Sequence, residues 1–381
     1  MYLEEQDLFV TRPSLPSFED FIDEIRPLWD TRIITNMGEK HHRFQAALEE
    51  YLGVDSCVLF ANGHAALEST LMAFGLEGEA ITTPYTFAST THAIVRAGLD
   101  PVMCDVRPED GTLDPSQLES LITERTSVIV PVHVYGNMCD TAAIESIAAK
   151  HGLKVVYDAA HAFGVLAGGR SAASFGDASI FSFHATKVFN SIEGGVVCCN
   201  GNDQLVKRLD LLKNFGIVDQ EHVEAVGANA KMSEVHAAMG LCNLRQLPSQ
   251  IAMRAEADAR YRHRLGQVEK IRIISRPTDG SVSANYSYFA IVVEGSFKGC
   301  RSGLYEALEK QGIHARKYFY PCTNAYECYS TLLDPYATPV ARRLSEQVLC
   351  LPLFAGMTDR DVDRVCDAVM AYLARVSGST D

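Results

Sequence analysis

A lysine stands where the chain pattern calls for burial. In "FSFHATKVFNSIEGG" (residues 181–195), Lys187 lies between an alternating apolar run and a Glu-Gly-Gly that opens a second apolar run, "VVCC". Stripped of water, an amine gives up its proton more easily and can attack a carbonyl. The other reading is a strand-end lysine whose ammonium extends to solvent. Three further segments hold groups that could work with it. In "LKVVYDAAHA", Asp158 ends an apolar run, where a carboxylate must meet a cation or good donors, or else cap the next helix. His161, three residues on, either shares that cavity or is a core histidine. In "CVLFANGHAAL", Asn62 and Gly63 turn into a helix whose first free N–H groups belong to Gly63, His64, Ala65 and Ala66. Such a start binds phosphate, although many are plain strand-to-helix turns. In "AITTPYTFAST", Tyr85 and Phe87 follow Pro84, as rings that stack on a planar ligand or plug the core. Ser182, near a strand end, offers a hydroxyl to an anion.

One cofactor uses all of these together. An amine to condense with an aldehyde, a carboxylate for a pyridinium nitrogen, an aromatic ring for the face and a helix start for a phosphate are the requirements of pyridoxal 5′-phosphate. The carboxylate has a quantitative part, since an opposite charge at contact distance moves a pKa by roughly 1 to 3 units toward the charged form. A protonated ring nitrogen then withdraws electrons from a neighbouring carbanion.

The elements that must bring these groups together are legible as an alternation. "CVLF", "AITT", "PVMCDV", "SVIVPVHV" and "LKVVYD" read as strands. Between them come helices from about Ala65, from Ser89 to Ala97, from "DPSQ" (Asp114 cap, Pro115 at the first position, Gln117 completing a capping box) and from Thr141 to His151. Near-continuous apolar strands alternating with helices imply a mostly parallel sheet covered on both faces. Ligands of such sheets bind beyond the carboxyl ends of the strands, which is where the residues above stand. After Gly240 the texture changes to a long polar-faced helix, "RQLPSQIAMRAEADARYRHRLGQVEK", then to fewer strands such as "YSYFAIVV" and a helix from Arg301 to Gln311. The expected division is a large cofactor-binding domain over residues 36–250, with residues 1–35 and 251–381 forming a smaller α+β domain and an N-terminal arm.

Composition limits the partners. The chain has 381 residues, 47% of them hydrophobic, and a formal charge of −14, which repels nucleic-acid backbones yet leaves room for a local anion pocket. Eleven scattered cysteines without a Cys-x-x-Cys pair read as reduced core residues, and no metal site is expected. No signal peptide or membrane span is read, so a cytoplasmic protein is expected.

The ordered blocks "NGHAAL", "TTPYTFAST", "YDAAHAFG", "FSFHATKVFNSIEGG", "LLKNFGI" and "KMSEVHAAMGL" resemble the DegT/StrS sugar-nucleotide aminotransferases, within the aspartate-aminotransferase (fold type I) superfamily. The resemblance runs from about Thr11 to the C-terminal helix. It implies an α/β fold with a seven-stranded sheet and a homodimer with shared active sites. Lys187 then corresponds to the cofactor-linking lysine and base, Asp158 to the pyridinium partner, His161 to a residue near the ring hydroxyl and Phe87 to the stacking ring. Gly63, His64, Ala65 and Ser182 fall in the phosphate cup, and Asn214 matches a residue that reaches the phosphate from the other subunit. His184, Lys317, Tyr318 and Tyr320 are the expected substrate contacts. One departure stands out: relatives commonly carry Ser-Gly-Thr where this chain has Asn62-Gly63-His64. The branch most resembled aminates C4 of dTDP-4-keto-6-deoxy-D-glucose with L-glutamate as donor; UDP- or GDP-linked ketosugars and a non-catalytic regulatory protein are the alternatives.

Overall fold

The computed structural model describes residues 7–277, 280–294 and 300–377, so the first six residues of the acidic N-terminus lie outside it. Its centre is a seven-stranded sheet built from β1 (Cys57–Phe60), β2 (Glu79–Thr82), β3 (Asp100–Met103), β4 (Thr126–Val130), β5 (Lys154–Asp158), β6 (Ala178–Ser182) and β7 (Gly195–Cys198). From one edge the order is β1-β7-β6-β5-β4-β2-β3, and β7 alone runs antiparallel to its neighbours. The mostly parallel α/β reading therefore holds.

Why the strands are apolar throughout is visible in their two faces. Cys57, Leu59, Phe181, Val196 and Cys198 point into one core with Phe44, Phe163, Phe183 and Phe189. Val58, Phe60, Ile180 and Val197 point into the opposite core with Leu67, Leu71, Ile94 and Leu209. A strand covered on both sides has no polar face to show. The covering helices are α1 (Glu39–Leu52), α2 (Gly63–Ala73), α3 (Ala88–Arg96), α4 (Thr141–His151) and α5 (Asp203–Leu212).

The helix read after Gly240 starts earlier than expected. α6 runs from Glu234 to Leu265, 32 residues, capped by the Ser233 side chain and continuous through Pro248. Its first half puts Ala237, Leu241 and Leu247 into the core of the large sheet, and its second half puts Ala257, Tyr261 and Leu265 into another. That second core lies on an antiparallel sheet of β8 (Ile271–Ile273), β9 (Phe289–Val293) and β10 (Val348–Leu351), backed by α7 (Cys300–Glu309) and α8 (Asp359–Ser377). We propose the domain division on this change of core, with residue 250 falling inside α6. Of the N-terminal arm, Leu8–Phe9 pairs with Ile313–His314, whereas Ile25 and Leu28 pack on Ala238 of α6. The helix expected from "DPSQ" is only a 3₁₀ turn, Pro115–Gln117, and one further turn, Leu118–Leu121.

The eleven cysteines are all unpaired, and all but Cys328 are buried. Among the described residues no helix is long and apolar enough to cross a membrane.

The first residue of β7 ties the sheet to the turn after β1. A Cβ added at Gly195 would lie 2.6 Å from the carbonyl carbon of Asn62 and 2.7 Å from the amide nitrogen of Gly63. Both are backbone and cannot swing aside. Gly195→Ala is expected to cost about 1–3 kcal/mol of stability by overpacking, seen as a lower urea midpoint; a wild-type midpoint would show that the turn yields.

Candidate active site

The carboxyl ends of β1, β2, β5 and β6 open on one cavity of about 540 Å³. Its wall includes Gly63, His64, Phe87, Asp158, His161, Ser182, His184, Lys187 and Tyr318. Stretches far apart in sequence thus meet at one edge of the sheet.

Lys187 sits in a loop that is pinned on both sides. Phe183 N–H donates to Gly194 O, Ser191 N–H to Phe183 O, and Asn243 Nδ2 to Asn190 O. The flanking Val188 and Phe189 are buried, and Lys187 itself reaches into the cavity rather than to bulk water. Nζ has no hydrogen-bond or ion-pair partner among the described residues. Burial brings its pKa down to about 8, against the opposing pull of Asp158, which favours the charged form.

Asp158 is 8% exposed, at the end of β5. Its Oδ2 accepts from Thr90 Oγ1 at 2.7 Å and its Oδ1 from Ala160 N at 3.1 Å. Thr90 Oγ1 lies 2.9 Å from Thr86 Oγ1, and because Thr90 commits its proton to Asp158, Thr86 is the donor of that pair. The carboxylate is therefore oriented by two donors of the chain and keeps lone pairs for a cationic group in the cavity.

His161 is held in one tautomer. Tyr135 N–H donates to its Nδ1 at 3.1 Å, which leaves the ring proton on Nε2 as a donor. Burial, helped by Lys187, keeps its pKa well below the ordinary histidine value, so the ring is neutral. The rings of Tyr288, edge-on at 5.0 Å, and Phe319, parallel at 5.8 Å, fix its plane.

The two aromatics of "PYTF" part company. Tyr85 is fully buried and hydrogen-bonded to Tyr135, whereas Phe87 is 58% exposed and faces the cavity as the residue before α3.

At the other end of the cavity, α2 begins. A Cβ on Gly63 would come within 2.8 Å of the Ser182 Cβ, so the glycine lets the helix start close against the end of β6. The Gly63 and His64 N–H groups find no acceptor among the described residues. The Ala65 amide differs from expectation: it donates to the Asn62 side chain at 2.8 Å, as the third residue of a capped helix does, and is already satisfied. His184 stands at the rim, exposed, 3.6 Å from Glu193.

Lys317 and Tyr320 are not in this cavity. They line an adjoining one of about 290 Å³ with Arg316, Tyr305 and Tyr326, and Phe87, Tyr318 and Phe319 form the wall common to both. Asn214 lies outside both cavities of its own chain, in a turn bridged to Asn229. Sequence reasoning missed Thr90, Ser89, Tyr288 and Phe319, none of which its local sequence marks out.

Comparison with known proteins bears on this geometry. The chain matches the DegT/DnrJ/EryC1/StrS aminotransferase family over residues 17–370. It belongs to that family. A protein of Shigella dysenteriae, dTDP-4-amino-4,6-dideoxy-D-glucose transaminase, is 41% identical over 96% of this chain and 99% of its own. The crystal structure of DesI in the presence of its TDP-sugar product superposes with a TM-score of 0.90 at 34% identity, covering 98% of this chain and 96% of that one. Spr1654 of Streptococcus pneumoniae in its PLP form superposes with a TM-score of 0.90 at 25% identity, over 97% and 99% of the two chains.

The cofactor of this aminotransferase is pyridoxal 5′-phosphate, and the donor set suits it. The family member offers a desolvated amine, a carboxylate braced by two donors, a neutral Nε2–H, an exposed ring and, at the far end, two unsatisfied amides beside a hydroxyl. Each group has the polarity that one part of the cofactor requires.

Because Lys187 titrates near pH 8, its neutral form gains population as pH rises through that value, about two units below an exposed lysine. In cofactor-free protein, Lys187 acylation followed by peptide mass spectrometry is expected to reach half its maximal rate near pH 8. A midpoint above pH 10 would contradict the desolvated setting.

Proposed function

We propose that this enzyme moves an amino group from L-glutamate to C4 of a nucleotide-linked 4-keto-6-deoxy sugar. The acceptor is dTDP-4-keto-6-deoxy-D-glucose and the product dTDP-4-amino-4,6-dideoxyglucose. The observation that carries this reading is the 41% identity, over nearly the full length of both chains, to a transaminase named for that product. The DesI structure with its TDP-sugar product supports the same class of acceptor.

When bound, pyridoxal phosphate supplies an aldehyde carbon that accepts and surrenders the amino group, and a cationic ring that withdraws electrons. The chain's own residues do the rest. Lys187 Nζ, neutral in a useful fraction at physiological pH, takes the α-proton of the amino-acid donor and in the second half-reaction returns a proton to the sugar's C4. Asp158, braced by Thr90 and Ala160, keeps the ring nitrogen protonated through its charge. His161 would offer its Nε2–H to the ring oxygen. Phe87, Tyr288, Tyr318 and Phe319 wall the reacting carbon with rings. Tyr318 also faces the adjoining cavity, where Lys317, Arg316 and Tyr320 offer cations and rings for the nucleotide portion.

We read the working form as a homodimer with shared active sites. Beyond Asn214, residues 215–226 leave Phe215, Ile217, Val218, Val223 and Val226 exposed, an apolar projection that a second copy would cover. Asn214, at its base and away from its own cavity, then serves the partner's phosphate. Eleven unpaired cysteines suit the reducing cytoplasm, and a 4-amino-4,6-dideoxy sugar suits assembly of a surface glycan such as O-antigen.

An acceptor screen with L-glutamate against dTDP-, UDP- and GDP-linked 3- and 4-ketosugars is expected to give fastest turnover on dTDP-4-keto-6-deoxy-D-glucose, with NMR locating the new amine on C4. Preference for another nucleotide, or amination at C3, would revise the substrate; turnover on none would overturn the reading.

A further inference from the structure

The turn that opens α2 carries a histidine next to Gly63, and the imidazole is built into its surroundings. His64 Nδ1 lies 2.9 Å from Ser89 Oγ, and Nε2 lies 3.3 Å from Glu68 Oε2. Glu68 in turn meets Arg96 Nε at 2.9 Å. His64 and Ser89 both line the large cavity, and Glu68 stands behind them. Ser89 is the second residue of α3, so two helix starts open on the same end of the cavity. Among the described residues no arginine lines that cavity. Its acids are Asp158 and Glu193, and its lysine is Lys187, which the reaction claims. A phosphate dianion entering beside Gly63 would meet backbone amides and hydroxyls; of the cavity's imidazoles, His161 is held neutral and His184 leans to Glu193, which leaves His64 to bring a charge.

We propose that His64 holds the cofactor's phosphate as an imidazolium, taking up one proton from solvent as the phosphate enters, with Glu68 as counter-ion and Ser89 as the hydroxyl it aims. The two protonation states offer the anion different things. With the single proton on Nε2 toward Glu68, Nδ1 accepts the Ser89 O–H, and that hydroxyl shows the phosphate only lone pairs. With both nitrogens protonated, Nδ1–H donates to Ser89 Oγ, and the serine proton is free to donate to a phosphate oxygen. A hydroxyl donor for the phosphate is thereby supplied by the first turn of α3, switched on by a proton.

Other charges face this ring. Arg96 and His92 approach from α3; burial and His64 lower the His92 pKa, so His92 does not compete for the proton. Lys187, His184 and Glu193 belong to the loop after β6, with His184 drawn toward Glu193, and Asp158 stands at the end of β5. Glu68 alone among these is in ion-pair reach of His64. The inference rests on pyridoxal phosphate as cofactor and is independent of which sugar is aminated.

The test uses pyridoxamine 5′-phosphate, which lacks the aldehyde and cannot link to Lys187. It is titrated calorimetrically into cofactor-free full-length protein at pH 7.5, in two buffers of different ionisation enthalpy, to count protons taken up. Wild type is expected to take up close to one proton more than His64→Thr or His64→Gln. Its affinity advantage over His64→Gln, whose amide supplies a fixed donor to Ser89, is expected to shrink by up to about tenfold per pH unit as rising pH removes that proton. A purely structural role for His64 would change affinity without changing the proton count. Equal proton counts in wild type and either variant would overturn the proposal, whatever the acceptor screen reports.

Discussion

An amine without a partner, half-buried at the end of a hydrophobic loop, is the constraint around which this protein is organised. A lysine in that position is unfavourable in the folded chain taken alone, because its charged form loses water and gains no hydrogen bond. The same desolvation brings its pKa to about 8, where nucleophile and base are both accessible near neutrality. Asp158 limits the shift by favouring the ammonium, so the pair sets a balance rather than a fully neutral amine. Everything else in the site gains its meaning from facing that nitrogen.

Holding such a group needs a stiff frame, and the parallel sheet provides it. β5 ends at Asp158, β6 ends at Ser182, and the loop carrying Lys187 returns the chain to the first residue of the reversed strand β7, Gly195, which lies against the turn before α2. Because Gly195 touches Asn62 and Gly63, the phosphate end and the lysine loop are parts of one packed unit. The second sheet contributes from the other side: one face of β9 and β10 packs with Tyr85, Tyr135, Tyr288 and Phe319, and two of those rings set the plane of His161. The wall of the cavity thus draws both on the loops of the large sheet and on rings packed against the second sheet.

Groups whose chemistry is local to a strand end are legible in the sequence. Asp158 and Lys187 follow apolar runs, and the sheet order brings those ends together in the way parallel α/β topology requires. What stays hidden depends on contacts across the fold. Thr90 looks like any helical threonine until β2 and β5 are seen to open on one cavity, and only then does its hydroxyl reach Asp158. The Ala65 amide counts as free in a sequence reading, because nothing local dictates that the Asn62 side chain turns back to occupy it. Lys317 and Tyr320 flank Tyr318 closely in sequence, yet the chain turns at Tyr318 and Phe319, and while those two line both cavities Lys317 and Tyr320 line only the adjoining one. The true start of α6 is masked because residues before Arg245 pack in two directions, Ala237 and Leu241 into the core of the large sheet and Ala238 against Ile25 and Leu28, which blurs a single amphipathic stripe.

The nitrogen that carries the cofactor decides the mechanism. Borohydride reduction of the holoenzyme, followed by proteolysis and peptide mass spectrometry, reads this directly. A phosphopyridoxyl group fixed on Lys187 is the predicted result, with the yellow colour lost on reduction and no label elsewhere. Label on a different lysine, or cofactor that dialyses away unreduced, would contradict the central claim.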